Sequence, residues 1–375
     1  MNIAFIEDTH LRGGTQIWVV EATNYFIMQG HNVNVIAPEG SYVAEECKKA
    51  GASTFTYDWD DIVISPEKYQ AIWTEGLSKS DLDICTVHPP RGGFHCSIFA
   101  AKCIDDADLD TIHIPKTGSI VPWYKREYYI PNENINHKVI SITEYTKDYL
   151  VSEYKIPKEK IELIYQGTEI NRFTSNEQSV EEAKKRYELP DTAFPILASV
   201  GAYEDRKGQI VLLQAIKKLI DSNRLPNVHV LFVGEGPDEE MLRAVTNVYG
   251  LNNNVSFYPF TKEPNYVFDR IDILTLPSLY KEGLPNVILE AMSMKVPVVS
   301  SRMAGVPEVV IDGETGFMTD IGNVEQFADA IFELSKDKEL MLKMGDNARE
   351  LMEEKFDKKV QFAQFLDYFK SLVNS

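Results

Sequence analysis

Residues 273–318 read I-L-T-L-P-S-L-Y-K-E-G-L-P-N-V-I-L-E-A-M-S-M-K-V-P-V-V-S-S-R-M-A-G-V-P-E-V-V-I-D-G-E-T-G-F-M. An apolar strand ends at Leu276, a loop punctuated by Pro277, Gly283 and Pro285 follows, and apolar periodicity predicts a helix over 286–294. The β-branched run 296–301 is expected as the next buried strand. Pro285 suits a first helical turn, where its missing N–H costs nothing. The N–H groups of residues 282–287 then face a crevice at a helix N-terminus, which is a seat for phosphate. Glu282 precedes that helix and Glu290 lies inside it. Carboxylates at these two places can hold two different hydroxyl-bearing parts of a ligand whose phosphates lie between them. On a polar helix such a pair would be solvated surface, but between two buried strands it points to a ligand site.

The same alternation extends in both directions. After this stretch the tail from Val324 reads as helical throughout, with an apolar stripe of Phe356, Val360, Phe362, Phe365, Phe369 and Leu372. Before it, strands are expected at 195–200, 228–233 and 255–257, with an amphipathic helix at 210–220 and a short one at 264–270. Residues 201–208, G-A-Y-E-D-R-K-G, form the loop after the first of these strands. In the first half, 2–7 is a strand, Gly13-Gly14 lies in a polar turn, 16–29 is a helix stopped by Gly30, and 33–37 is the next strand. That is a right-handed βαβ unit with a phosphate-sized hole at the helix start. Strands at 52–57, 84–88, 111–114, 139–143 and 161–165 alternate with helices at 43–50, 94–103 and 145–154. The pattern predicts mostly parallel sheets covered on both faces, with ligands at the carboxyl ends of the strands. His88 and His113 are read at such ends. Residues 174–180 are polar and patternless and are expected as the domain junction and hinge.

Bulk properties narrow the function. A length of 375 residues suits two or three domains, and 44% hydrophobic with 25% charged residues is ordinary for a globular protein. The net charge of −19 is spread over both halves, which opposes nucleic-acid binding and strong docking on anionic lipid. Lys116, Lys125 and Arg126 are the one basic cluster before residue 130 and are expected on a solvated loop. No apolar run is long enough to span a bilayer, and no leader is recognised, so the protein is expected in the cytoplasm with at most peripheral membrane contact. Cys47, Cys85, Cys96 and Cys103 have no metal-ligand spacing and are expected as reduced core thiols.

The Glu282…Glu290 stretch resembles the Glu-x7-Glu motif of retaining nucleotide-sugar glycosyltransferases of family GT4, and Ala304–Glu308 with Gly313–Phe317 resembles that family's "GGxPE…dGxtGf" ending. Gly13-Gly14 resembles its GG loop and Thr111-Ile112-His113 its "TxH" segment, which favours His113 over His88, although Ile114 stands where Asp usually follows. Residues 165–173 resemble the "pNGvDxxrF" turn, with Gln166 for Asn and Glu169 for Asp. Residues 201–208 resemble the "GRxxxxKG" phosphate clamp, with Lys207 matching and Ala202 replacing the Arg. Arg206 is the neighbouring cation that could stand in.

The resemblance implies a GT-B fold, two Rossmann-like parallel-sheet domains facing each other across a cleft. The domains are expected at 1–173, completed by a last helix at 357–375, and at 174–356. It implies sugar transfer from a nucleotide diphosphate sugar, UDP- before GDP-, to an acceptor hydroxyl with retention of configuration. The acceptor is expected to be a glycan, a lipid-linked glycan or a small molecule. No metal or other cofactor is expected, because the family stabilises the leaving diphosphate with cationic side chains and helix N-terminal N–H groups in place of a metal ion. Glu290 is assigned the ribose and Glu282 the donor sugar. Lys207 and Arg206 take the diphosphate, and Gly283, Leu284, Pro285 and Asn286 frame the sugar and phosphates. Gly13 and Gly14 lie beside the diphosphate, and His113 stands at the junction of donor sugar and acceptor. The aromatic loop 123–129 is expected either to meet the acceptor or to pack. A phosphorylase or epimerase on the same fold, or a catalytically silent scaffold that binds nucleotide sugar, is the alternative.

Overall fold

The computed structural model describes residues 1–117 and 125–374. The chain divides into two compact units, Met1–Tyr165 with Gln361–Ser375, and Gln166–Val360. The first carries a parallel seven-stranded sheet in the order β3-β2-β1-β4-β5-β6-β7. Its strands are β1 (Asn2–Ile6), β2 (Asn32–Pro38), β3 (Ser53–Tyr57), β4 (Leu82–Thr86), β5 (Ile112–Lys116), β6 (Val139–Ser141) and β7 (Ile161–Leu163). The second carries a parallel six-stranded sheet in the order β10-β9-β8-β11-β12-β13. Its strands are β8 (Ile196–Val200), β9 (His229–Val233), β10 (Val255–Tyr258), β11 (Ile273–Leu276), β12 (Val298–Ser301) and β13 (Gly316–Thr319).

Both sheets are buried because parallel strands need crossover helices, and those helices cover the faces. β4, β5, β9 and β11 are buried at every position, although β4 includes Asp83 and β5 includes His113 and Lys116. In each sheet the strand order reverses once, between β1 and β4 and between β8 and β11. Loops leaving the carboxyl ends of such a pair diverge to opposite faces and open a crevice, the usual ligand position in doubly wound sheets.

β13 carries no strand signal of its own, since four residues starting with glycine show no alternation. It pairs with β12 because a Cβ at Gly316 would lie 2.0 Å from the Val298 carbonyl oxygen, so only glycine allows that approach. The tail is not one helix. Helices Val324–Ser335 and Lys338–Leu351 are followed by a break, and Lys358–Val373 begins anew. At the break the Thr168 N–H donates to Phe356 O at 2.8 Å and the Lys358 N–H to Thr168 O at 2.9 Å, a pairing that needs extended backbone at Asp357. Residues 174–180 are not patternless either. Asn176 caps the helix Glu177–Arg186 by accepting from the Ser179 N–H at 2.9 Å.

From Gln361 onward the last helix belongs to the first unit. Phe362, Phe365 and Phe369 enter its core, with Trp18 against Phe365 at 5.2 Å and Phe26 against Phe369 at 5.5 Å between ring centres. Burying each phenylalanine contributes roughly 1.5–3 kcal/mol. Trp18 Nε1 donates to Gln361 Oε1 at 3.1 Å, which fixes the helix's register. The four cysteines are buried free thiols. No helix among the described residues is long and apolar enough to cross a membrane.

Candidate functional site

In the second unit, the loop after β8 and the loop after β11 meet at the strand reversal. Gly208 makes this possible. Its φ is +65°, and a Cβ there would lie 2.0 Å from the Pro277 carbonyl oxygen at the end of β11. The Leu279 N–H donates to Arg206 O at 2.8 Å, and the Tyr280 hydroxyl to Asp205 at 3.0 Å, so the two loops are tied together.

That junction places Lys207 and Glu282, 75 residues apart in sequence, in direct contact. Lys207 Nζ donates to Glu282 Oε1 at 2.6 Å and Ser278 Oγ donates to the same oxygen at 2.8 Å. Arg206 approaches it at 3.7 Å while its Nε donates to Glu204 at 2.5 Å. Glu282 is therefore not an open crevice group. It is 8% exposed and held by one full ion pair, a hydroxyl and a second cation. Both cations of residues 201–208 lean toward one carboxylate, although adjacent side chains usually diverge. Ala202 contributes only its carbonyl, which accepts from Gln209 at 2.9 Å.

The helix after Pro285 spans Asn286–Ser293. Its N-cap is Pro285, no side chain caps it, and no acidic residue occupies its first turn. Gly283, Leu284 and Asn286 thus bring uncapped N–H groups, and Pro285 between them the start of the helix and the positive end of its dipole, beside the Lys207–Glu282 pair. Arg349 holds the other end, donating to Ser293 O at 2.6 Å and to the Ile170 and Phe173 carbonyls at 3.3 and 3.2 Å. Gln166 donates to the Asn286 side chain, which draws residues 165–173 to the same helix N-terminus. Glu290 is half-buried with no hydrogen-bond partner among the described residues. Burial raises its pKa, opposed by the charges of Arg172 and Lys358.

In the first unit the helix Gly14–Met28 starts at the carboxyl end of β1 with Gly13 as N-cap, whose N–H donates to Gln16 Oε1 at 2.9 Å. Gly13 and Gly14 so flank the β1/β4 reversal. His113 does not. It is the second residue of β5, fully buried, with Nδ1 on Asp83 at 2.9 Å and Nε2 on Ser97 at 2.9 Å. The preference for His113 is corrected: the strand runs on to Lys116, so this ring lies inside the sheet and its polar atoms are spent on structure.

His88, just past β4, is the histidine at a strand end. Its Nε2 lies 2.5 Å from Glu7 Oε1, which also accepts from Gln16 Nε2 at 3.0 Å. Burial lowers the His88 pKa, but the charge and hydrogen bond of Glu7 and the charge of Asp8 outweigh it, and the net shift is upward. Lys116 closes the same group and is not on a solvated loop. It is 4% exposed at the end of β5, its ammonium 4.3 Å from the Trp18 ring centre. Burial lowers its pKa to about 8 against the pull of Glu7. Asp8 accepts from Tyr57 at 2.8 Å and from Arg91 at 3.2 Å. Neither Glu7 nor Gln16 carries a sequence signal beyond lying within nine residues of Gly13-Gly14.

Of the aromatic loop 123–129, Trp123 and Tyr124 lie outside the described residues. Tyr128 and Tyr129 are buried, and Tyr128 stacks on His95 at 3.9 Å, so these two rings pack. Among the described residues no cluster of three or more His, Cys, Asp or Glu side chains is placed to hold a metal ion.

Comparison with known proteins agrees with this geometry. Residues 180–351 match the family described as glycosyl transferases group 1, and residues 12–172 match Glycosyltransferase Family 4. The lipopolysaccharide core biosynthesis glycosyltransferase LpsE of Rhizobium meliloti is 29% identical over 202 residues, 54% of this chain and 57% of its own. A GDP-mannose-dependent alpha-(1-6)-phosphatidylinositol monomannoside mannosyltransferase of Mycolicibacterium smegmatis is 30% identical over 216 residues, 55% of each chain. The chain thus spans little more than half the length of these curated relatives. Among solved structures, Anabaena HepE in complex with UDP is similar with a TM-score of 0.84, 18% identity and coverage of 99% of this chain and 100% of its own. A glycosyltransferase from Rickettsia africae has a TM-score of 0.81, 20% identity and coverage of 99% and 98%. At those identities the likeness is one of fold, the GT-B type with two Rossmann-like parallel-sheet domains. With one family match covering most of the first unit and the other most of the second, the chain belongs to the group 1 glycosyltransferases of family 4.

Proposed function

We propose that the protein transfers a sugar from a nucleotide diphosphate sugar to an acceptor hydroxyl, with retention of configuration and without a metal ion. The observation that carries this reading is the Lys207–Glu282 pair at the β8/β11 reversal, set beside an uncapped helix N-terminus. Phosphate oxygens suit Lys207, Arg206 and the N–H groups of Gly283, Leu284 and Asn286, which together can supply the positive field that a metal supplies elsewhere. Glu290 takes the ribose hydroxyls and Glu282 the donor sugar. The bond from the anomeric carbon to the diphosphate oxygen breaks with its electron pair leaving on the nucleotide, while the acceptor oxygen bonds to that carbon.

UDP is the favoured nucleotide, supported by the UDP complex of the HepE structure. GDP is the alternative, supported by a relative named for GDP-mannose. Relatives named for lipopolysaccharide core and capsular polysaccharide synthesis support a glycan or lipid-linked acceptor, met in the cytoplasm with at most peripheral membrane contact. The silent-scaffold alternative draws on Ala202, but the approach of Arg206 to Glu282 keeps a second cation in the site.

Calorimetric titration with UDP and GDP, in buffer with EDTA and then with added Mg²⁺ or Mn²⁺, tests the proposal. Binding of one nucleotide at the same affinity in both conditions is expected. A strict metal requirement would overturn it.

A further inference from the structure

We propose that Glu204 is a positioning residue for the phosphate seat: it holds Arg206 by one edge of the guanidinium and so presents the other edge to the diphosphate. The proposal rests on the nucleotide-sugar reading and goes beyond it, because a carboxylate beside a phosphate seat would by itself only repel the ligand.

The loop after β8 carries Arg206 and Lys207 side by side in a single 3₁₀ turn, Asp205–Lys207, with Glu204 as its N-cap. Lys207 is committed to Glu282 at 2.6 Å. Like charges on neighbouring residues repel, and a free arginine has many rotamers, so Arg206 left alone would turn away into solvent. Glu204 opposes this, since its Oε2 accepts from Arg206 Nε at 2.5 Å. Held there, Arg206 keeps Nη1 3.7 Å from Glu282 Oε1. Neither Nη1 nor Nη2 has a hydrogen-bond partner among the described residues, and the side chain is 28% exposed. A guanidinium fixed through Nε with both terminal nitrogens free offers the planar fork that matches two oxygens of a phosphate.

The orienting carboxylate stands on a fixed backbone. Tyr203, next to it, is buried with its ring edge-on to Phe232 and Phe257, and its N–H donates to Glu235 O at 2.9 Å. Glu204 O accepts from the Lys207 N–H at 2.8 Å, and Arg206 O from the Leu279 N–H at 2.8 Å. One end of the pair is thus anchored in the turn and the other to the loop after β11. Stability does not account for the pair, because partly exposed ion pairs contribute little. Asp205, the other acid of the turn, is engaged by the Tyr280 hydroxyl at 3.0 Å. The two carboxylates that face the cations therefore act unequally. Glu282 occupies the Lys207 ammonium that a phosphate needs, whereas Glu204 occupies only Nε of Arg206 and leaves the fork open.

Affinity for UDP and GDP is measured by calorimetry in the wild type, Glu204→Ala, Glu204→Gln, Arg206→Ala and the double variant Glu204→Ala with Arg206→Ala. Glu204→Ala is expected to weaken binding by about three- to tenfold as Arg206 regains its rotamers, even though it removes a negative charge near the phosphates. Glu204→Gln, whose amide oxygen still accepts from Nε, binds at least as tightly as the wild type. Arg206→Ala weakens binding, and in that background Glu204→Ala leaves affinity unchanged or raises it. A packing role would weaken binding in both backgrounds, and an acid that merely repels phosphate would strengthen it in both. The proposal is overturned if Glu204→Ala binds as tightly as the wild type, if its loss persists without Arg206, or if Glu204→Gln is as weak as Glu204→Ala. Arg206→Ala with wild-type affinity would also overturn it. A wild type that binds neither UDP nor GDP would instead remove the nucleotide-sugar reading itself.

Discussion

Glu282→Gln is expected to lower kcat by roughly 10²-fold while raising the affinity for bare nucleoside diphosphate by about three- to tenfold. The first effect follows from the proposed place of Glu282 against the donor sugar, where positive charge develops as the bond to phosphate breaks. The second follows from its contact with Lys207. In the ligand-free site the carboxylate holds the ammonium at 2.6 Å and competes with a diphosphate for it. An amide of the same size still accepts from Ser278 and Lys207, but it no longer neutralises the cation or repels the incoming phosphates. Single-turnover kinetics and calorimetry on the same protein separate the two effects. A variant that loses nucleotide affinity, or that keeps the wild-type kcat, would remove Glu282 from the sugar's side of the site.

Lys207→Met is expected to act oppositely on binding and also on stability. Loss of a charge-assisted contact to the diphosphate weakens nucleotide affinity by about 1.5–3 kcal/mol, or roughly 10- to 150-fold. The same change leaves Glu282 buried without its nearest cation, and breaking a buried pair from one side commonly costs about 3–5 kcal/mol. Ser278 and Arg206 still face that carboxylate, so a loss of about 1–3 kcal/mol in urea unfolding is expected. Pairing Lys207→Met with Glu282→Gln removes the stranded charge, so the double variant recovers stability without recovering nucleotide binding. If the double variant is no more stable than the single one, the ion pair is not what holds this loop junction together.

The Lys207–Glu282 coupling marks the limit of what the sequence made legible. Strand and helix alternation and the parallel character of both sheets follow from local periodicity, whereas the return of the last helix to the first domain was an implication of the family resemblance. Each half of the site was visible by itself: Glu282 from its place between two buried strands, Lys207 from the resemblance of residues 201–208 to the family's phosphate clamp. That they meet depends on Gly208 letting the first loop settle on Pro277, which no pattern over a few residues encodes. The choice between His88 and His113 failed on register. The end of β5 falls two residues later than expected, at Lys116, and this leaves His113 inside the sheet and brings Lys116 to the strand end. Glu7 was hidden because a single acid after a strand has no periodicity. Its meaning comes from His88 and Gln16, which the fold alone brings to it. At Asp357 the helical pattern hides a backbone break that only the pairing with Thr168 explains.

The direct test of the account is nucleotide affinity in Glu290→Gln set beside Glu282→Gln, measured by calorimetry with UDP and GDP. If Glu290 holds the ribose, its half-buried carboxylate serves every ligand that carries the nucleoside. Glu290→Gln then weakens bare nucleotide by roughly tenfold and acts mainly on KM, as loss of uniform binding does. Glu282→Gln shows no loss at all. Equal losses in the two variants, or a loss confined to Glu282→Gln, would contradict this division of the site and the sugar-transfer reading built on it.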